Sequence, residues 1–593
     1  MRGRSFPKRG RRPRAATRAA PPADERRSGM AHANEGFSRR DFLRGAGVAA
    51  TAVAVAGVAG CATAGSGAQG AADVKWDRET EVLVLGFGGA GAVAAAAAHE
   101  EGAEVLILEK APKEGGGTTR ISTGYSSIVL DPKGALEYLR TQVKGLTPQE
   151  VFETYVQEGA TLTDWLDDHG IAYTDVSSVL GSDYKNWPGS DAFGAVGFTN
   201  ADGTNSGTAV FDWATQYMAD NGIEILFDAR AYQLVQDPST REVIGVRARH
   251  ADGSEMAVHA KKAVIMCTGG FECNDEMIGN YLVPSPLARE GWMFNTGDGV
   301  KMGQEIGADL WHMNMLDAYG VTFTAPGDVT GRFGLNGATC ATGSFMWVNR
   351  NGKRFMCENP SNIGTPLAHR SVNRFALFDD IPGKLPLGYD SSYRDIPFYL
   401  LIDQKQFEAA PLYDNNQTAG CGLIDKELGG VEPWSEDNKQ ELEKGWILKG
   451  DTVEELVKRM NANSADEGYH MDPADLQATI DAYNADCAAG VDTLFDRPAT
   501  VNDAPNLVPL DTPPYYALRL MPCMNTTKGG PVKNGNAQIL DTHGEVIPRL
   551  YEAGTLGHTA AQVYCIFGAN LAECFNFGRI AGRNAAAETP LEA

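Results

Sequence analysis

A short apolar run, Glu81-Val82-Leu83-Val84-Leu85, leads directly into Gly86-Phe87-Gly88-Gly89-Ala90-Gly91 and then into Ala92–Ala98. The run has the length and branching of a strand buried on both faces. The alanine stretch predicts a helix with small side chains, and Glu104–Leu108 predicts a second strand that ends at Glu109. A G-x-G-x-x-G turn inside such a βαβ unit, with an acid 23 residues after its first glycine, leaves few folds open to the chain. Gly86 permits the tight turn, Gly88 lets backbone approach a pyrophosphate, and Gly91 lets helix close on strand. The helix start at Gly89 and Ala90 aims N–H groups at the phosphates. Glu109, with Lys110 beside it, is placed to bind a ribose hydroxyl. These features together predict a dinucleotide site.

The segment after the second strand separates FAD from NAD. A nicotinamide domain usually continues there into another crossover. This chain instead has Gly115-Gly116-Gly117-Thr118-Thr119-Arg120-Ile121-Ser122-Thr123-Gly124. Such a loop can follow a second phosphate and a ribityl chain through Gly116, Gly117, Thr118, Thr119, Ser122, Thr123 and Gly124; a plain surface loop is the alternative. Two later strands run into glycine turns in the same way, Ala263–Met266 into Thr268-Gly269 and Val546–Glu552 into Gly554. None of the ten cysteines forms a C-x-x-C pair, which removes the usual zinc, ferredoxin-type and c-haem patterns. The expectation is non-covalent FAD and no metal.

Charge narrows the partners. The 593 residues contain 52 Lys+Arg and 76 Asp+Glu, a net charge of −24, a balance unsuited to nucleic acid. Positive charge is concentrated at the start, where residues 1–60 hold 13 Lys/Arg and 4 Asp/Glu. Residues 1–29 read as an upstream extension, with the true start at Met30. Ser38-Arg39-Arg40-Asp41-Phe42-Leu43 is a twin-arginine export motif. The uncharged stretch from Gly45 to Gly60 is too short and too rich in Ala and Gly for a good membrane span. Val58-Ala59-Gly60-Cys61 resembles a lipobox, whose cysteine is lipidated after cleavage; the alternative is a signal peptide cut at Ala62-Thr63-Ala64. The expected layout is a signal region at 1–61, a tether at 62–75, and a body on the outer face of the cytoplasmic membrane.

The body resembles the fumarate reductase/3-ketosteroid dehydrogenase superfamily of FAD flavoproteins, over about residues 78–300 and 505–587. The resemblance implies an α/β fold. A discontinuous Rossmann-like FAD-binding domain, residues 76–300 and 505–593, would carry an inserted α+β capping domain at 301–504. Asn295-Thr296-Gly297-Asp298-Gly299 resembles the turn entering the cap, and Val348–Phe355 resembles its signature. In the fumarate branch His and Arg residues hold a dicarboxylate. The matching positions here are Thr526, Leu571, and sites near Asn362 and Tyr319, so the cationic clamp is missing. Two unpaired charges in a partly dry site would cost several kcal/mol.

The ketosteroid branch fits the end of the chain better. Tyr564-Cys565-Ile566-Phe567-Gly568-Ala569 leads to Phe577-Gly578. By resemblance, the Tyr564 hydroxyl and Gly568 N–H grip a ketone oxygen, and Ala569, Asn570 and Leu571 touch the cofactor; a packed core tyrosine is the other reading of Tyr564. The branch's basic tyrosine falls at about Asn362. Tyr319 and Tyr125 are therefore the alternative acid/base candidates, with cavity packing as the other reading of each. His312, His369, His558 and Arg370 remain unassigned. Elsewhere, Thr147-Pro148-Gln149-Glu150 predicts a capping box opening a helix to about Asp168. Asp472-Pro473 predicts a second helix start, and Asn534-Gly535 a hairpin turn.

The expected activity is reduction of a C=C bond conjugated to a carbonyl, in a bulky or uncharged enone such as a steroid, lactone or plant phenolic. Electrons would come from a membrane quinol-linked cytochrome or flavoprotein. The alternatives are a 3-ketosteroid dehydrogenase working in the oxidative direction, and a flavin-carrying lipoprotein that relays electrons or binds a ligand. The address is testable by fractionation. Arg39→Lys with Arg40→Lys should block export, and Cys61→Ser should release active protein from membranes, because the lipid chains supply the anchor. A Cys61→Ser protein that stays membrane-bound would rule out the lipid anchor.

Overall fold

Apolar residues on both faces of a strand require cover on both sides, and the first strand is covered in this way. The computed structural model describes residues 74–591 apart from 183, 283–286, 290, 318–320, 324–332, 336–341, 359–394, 414–432, 465–469, 502–503 and 560–564. Its elements, in chain order, begin with β1 (Arg78–Leu85), α1 (Gly89–Glu100), β2 (Val105–Leu108), the single turn α2 (Gly117–Arg120) and β3 (Tyr125–Val129). β4 (Phe193–Phe198), β5 (Glu224–Leu226), β6 (Glu255–Met266) and α3 (Asp298–Glu305) follow. Then come β7 (Phe345–Asn349), β8 (Phe398–Asp403), β9 (Tyr515–Met524), β10 (Val546–Glu552) and α4 (Ala569–Ala587).

The first sheet runs β10-β6-β1-β2-β5, all parallel, with antiparallel strands added to β6 and β10. Val82–Leu85 lie beside Val105–Leu108 on one side and Ala263–Met266 on the other. Val82, Leu83 and Val84 are fully buried. This is the expected Rossmann-like α/β arrangement, and β6 and β10, distant in sequence, join it as neighbours.

Two helices of small residues cover one face. Gly89 to Ala98 of α1 are all buried. α4 lies against them with Gly578 over Val93 and Gly582 over Ala94 and Ala97. A Cβ at Gly582 would overlap the Ala94 carbonyl oxygen, and one at Gly91 would overlap that of Gly86. Helix axes approach this closely only where side chains are minimal.

The second sheet is built around β9, which pairs antiparallel with β8 and with the strands Val321–Phe323 and Ile447–Gly450, and parallel with Ala288–Arg289; β7 pairs antiparallel with β8. Side chains alternate as a strand's pleat requires. Trp347, Phe398, Leu400 and Leu518 pack on one face, and Met346, Val348, Tyr399 and Leu401 on the other. Its central strand, β9, comes from residues 515–524, so this sheet extends beyond the boundary expected at residue 504. The cap-signature arginine, Arg354, is buried and bonds Glu358 (2.8 and 2.6 Å) and Asp492 (2.9 and 2.8 Å), so its charge holds the domain together.

Local expectations divide. Asp472 caps the helix Pro473–Ala489 by accepting from Ala474 N. No capping box forms at Thr147, because its hydroxyl donates to Thr559 O at 3.0 Å. The helix begins at Gln149 after an extended Pro148 and breaks after Gly159, resuming as Leu162–Asp168. The Asn534-Gly535 turn is wider than a two-residue hairpin loop. Asn534 Oδ1 accepts from Asn536 N and Gln538 N, and Ala537 takes the left-handed conformation at φ 65°.

Overpacking the α1–α4 contact should cost about 1–3 kcal/mol. Gly582→Leu should lower the thermal midpoint, whereas Gly279→Ala, in a helix where an added Cβ meets nothing within 4 Å, should leave it unchanged or raise it. Equal midpoints for Gly582→Leu and the parent would refute the packing argument.

Candidate active site

The chain leaves β1 through Gly86, at φ +102°, where a Cβ would sit 2.5 Å from the Cys267 carbonyl oxygen. The expected role of Gly86 in a tight turn is thus met by a close backbone approach from the end of β6. Gly88 differs: a Cβ there would meet nothing nearer than 3.7 Å, and the residue faces a cavity. Gly116 N donates to Phe87 O at 2.7 Å, and Gly88 and Gly116 form a parallel bridge. The second glycine loop is therefore stitched to the first. Its Thr119 Oγ1 accepts from Gly89 N at 3.1 Å.

The cavity runs along the carboxyl ends of the parallel strands. Of the expected cofactor residues, Gly86, Gly88, Gly89, Ala90, Glu109, Lys110, Gly117, Thr118, Thr119, Ser122, Thr123, Thr268, Gly269, Asp298, Gly554, Asn570 and Leu571 line it. Gly91, Gly116, Gly124 and Ala569 do not line it; they stand behind the wall as packing positions. The residues present fit a flavin dinucleotide. The Gly88 cradle is open, α1 points its start into it, and Thr268 Oγ1 is a buried hydroxyl with no partner among the described residues.

Glu109 is buried and accepts from Phe87 N and Ala111 N, both at 2.7 Å. Burial pushes its carboxyl up, against the pull of those N–H groups and of Lys110. Lys110 lines the cavity with its ammonium tied to neighbouring groups. Its Nζ bonds Asp298 (2.9 Å), Phe294 O (3.1 Å) and Thr296 Oγ1 (2.5 Å). Asp298 also takes Arg230 at 2.6 Å, and despite its burial Arg230 and Lys110 hold its carboxyl below the ordinary value. Lys110 and Asp298 therefore fasten α3 to β2 at the end of the cavity that Glu109 lines.

The opposite end is lined by Tyr125, Asp317, Thr526, Phe567, Gly568, Asn570 and Leu571. Tyr125 opens β3, and its ring packs edge-on to Phe567 at 5.2 Å. Gly568, at φ +80°, caps α4, and a Cβ there would strike the backbone of Ser126 and Ser127 at 2.7 Å. Tyr564 and Tyr319 lie outside the described residues, as do His369, Arg370 and Asn362. His312 and His558 are buried in packing. His312 Nδ1 meets His558 O at 3.0 Å, and burial pushes its imidazole down to about 4.

Three polar residues escaped sequence reasoning. Asn295 Nδ2 donates to Thr118 Oγ1 (3.1 Å) and to Glu272 Oε1 (2.6 Å). Burial pushes the Glu272 carboxyl up to about 7, against hydrogen bonds from Asn295 and Thr527. Asp317 Oδ2 accepts from Asn570 Nδ2 (2.7 Å) and pairs with Lys528 Nζ (3.2 Å). Asn295 stood in the quoted cap-entry turn, but Glu272 and Asp317 lie in no motif.

Comparison with known proteins agrees with this geometry. Residues 81–568 match the family described as the FAD binding domain. An NADH:acrylate oxidoreductase of Vibrio harveyi is 25% identical over 86% of this chain, and the chain spans about half (51%) of that protein's length. A digoxin reductase of Eggerthella lenta is 27% identical, covering 94% of this chain and 98% of its own. The 3-ketosteroid Δ1-dehydrogenase of Sterolibacterium denitrificans superposes with a TM-score of 0.67 at 20% identity, over 86% of this chain and all (100%) of that one. The expected likeness to fumarate reductases and 3-ketosteroid dehydrogenases is thereby met.

Glu272 makes stability depend on pH. The unfolded chain ionises this carboxyl near 4.5, while the folded protein keeps its proton to about 7. Stability should fall as pH rises across that window, by on the order of 3 kcal/mol from this group. Glu272→Gln should flatten that fall, read as urea midpoints at pH 5 and pH 7.5. The same pH difference in both proteins would contradict the assignment.

Proposed function

Because this chain belongs to the FAD binding domain family, we propose that it is an exported FAD-dependent reductase of an uncharged C=C bond conjugated to a carbonyl. That the cofactor is FAD follows from the family and the fitting cavity; the substrate class is our reading. The single observation that carries it is the charge at the end of the cavity away from Glu109. Thr526 and Leu571 line that end at positions where the fumarate branch has cations. The charged side chain lining it, among the described residues, is the Asp317 carboxylate. A dicarboxylate would meet like charge there, whereas a neutral enone would not. That a relative is named a digoxin reductase supports reduction as the direction.

Bound FAD supplies the hydride for the β-carbon. The protein's own groups do the rest. Gly568 N–H and the Tyr564 hydroxyl polarise the carbonyl oxygen, where charge develops as hydride arrives, and donors of this kind act most strongly in the transition state. Tyr125 holds a proton at its hydroxyl for the α-carbon. Phe567, Trp292 and Leu571 present apolar surface that excludes water. Electrons reach the site from an external donor, a membrane quinol-linked cytochrome or flavoprotein, with the protein held at the outer face of the membrane through Cys61.

An anaerobic assay with reduced viologen and a panel of neutral enones tests the reading. Viologen oxidation is expected. Dye reduction by a saturated ketone would instead support the oxidative direction, and no turnover either way would support a ligand-binding or electron-carrying role. Tyr564→Phe should lower kcat and kcat/KM together by about 10²–10³-fold, the scale of one lost oxyanion donor. If that variant loses stability but keeps turnover, the tyrosine is only packed.

A further inference from the structure

A buried ion pair stands at the end of the cavity opposite Glu109. Asp317 lines the wall, is 2% exposed and leaves Oδ1 without a hydrogen-bond partner among the described residues. Its other oxygen, Oδ2, takes Asn570 Nδ2 at 2.7 Å and Lys528 Nζ at 3.2 Å. Lys528 is fully buried and also donates to Asn570 Oδ1 at 3.2 Å. It is not among the lining residues. The pair therefore forms a fixed dipole, with its carboxylate facing the cavity and its ammonium behind. The backbone holds this order: Asp317 pairs with Thr526 across an antiparallel ladder, and Asn570 sits in the first turn of α4.

With the adenosine ribose at Glu109, the ring system of FAD would lie toward the end that Asp317 lines. Reduction by the external donor places two electrons and one proton on that ring and leaves it one unit more negative. In a site of low dielectric, a nearby carboxylate opposes this change and a nearby ammonium favours it, and the nearer charge acts more strongly. We infer that the Asp317–Lys528 pair sets the reduction potential of the bound flavin, holding it low so that reduced flavin is a strong hydride donor. Asp317 and Lys528 act here as positioning charges. This rests on the FAD assignment and not on the identity of the substrate.

Potentiometric titration of the FAD-loaded protein tests it without any substrate, using viologen and quinone mediators and reading flavin absorbance. Asp317→Asn should raise the midpoint potential above the parent's, since the nearer negative charge is removed while the Lys528 ammonium stays. The double variant Asp317→Asn with Lys528→Met removes both charges of the pair and should fold even where the single variant does not. Its midpoint should lie above the parent's and below that of Asp317→Asn. A double variant with full FAD content and a midpoint equal to or below the parent's overturns the inference, as does an unshifted Asp317→Asn.

Discussion

The architecture depends on the absence of side chains where β1, α1 and α4 meet. Gly91 lies against the Gly86 carbonyl, and Gly582 against that of Ala94. These contacts bring α1 down onto the strand ends and let α4 run alongside it. Two helix starts, at Gly89 and Ala569, then face one cavity from adjacent positions. The positive helix ends at both places suit phosphates and a ring that becomes anionic. Larger residues at these contacts would move the helices apart and separate the two ends of the cofactor site.

The cavity joins two chemically different ends. At the Glu109 end, charges are tied among themselves, with Lys110 and Arg230 both on Asp298, and they brace the wall around Glu109. At the other end a compensated pair replaces the free cations that a dicarboxylate would need. Selectivity in this account comes as much from what a substrate would leave unpaired as from what it gains. Among the described residues, Asp317, Thr526, Asn570 and Tyr125 bring side-chain polar groups to that end.

Much of this was legible in the sequence because it is local. The βαβ unit, its glycines and Glu109 lie within 29 residues and combine strand length, small-residue helix and turn chemistry. The extended Gly/Thr/Ser loop and the turn at Thr268-Gly269 were legible for the same reason, and their side chains do line the cavity. What escaped is set by distance along the chain. Asp317, Lys528 and Asn570 meet across up to 253 positions, and Glu272 reaches Thr527 across 255. Neither arrangement leaves a spacing to read. The placement of β9 at the centre of the second sheet is likewise a long-range pairing, in which strand partners come from residues 321–323, 398–403 and 447–450. Lys110, expected at the cofactor, lines the cavity, and what the sequence did not show is that its ammonium is bound to the distant Asp298.

The central claim is that reduced flavin in this site delivers hydride to an activated C=C bond that bears no charge. The most direct measurement mixes the anaerobically reduced protein with fumarate or with its dimethyl ester in a stopped-flow instrument and follows flavin absorbance. The two compounds share the double bond and its activating carbonyls and differ in charge. The neutral diester should reoxidise the flavin rapidly, and the dianion slowly or not at all. Faster reoxidation by the dianion than by the diester would contradict the claim.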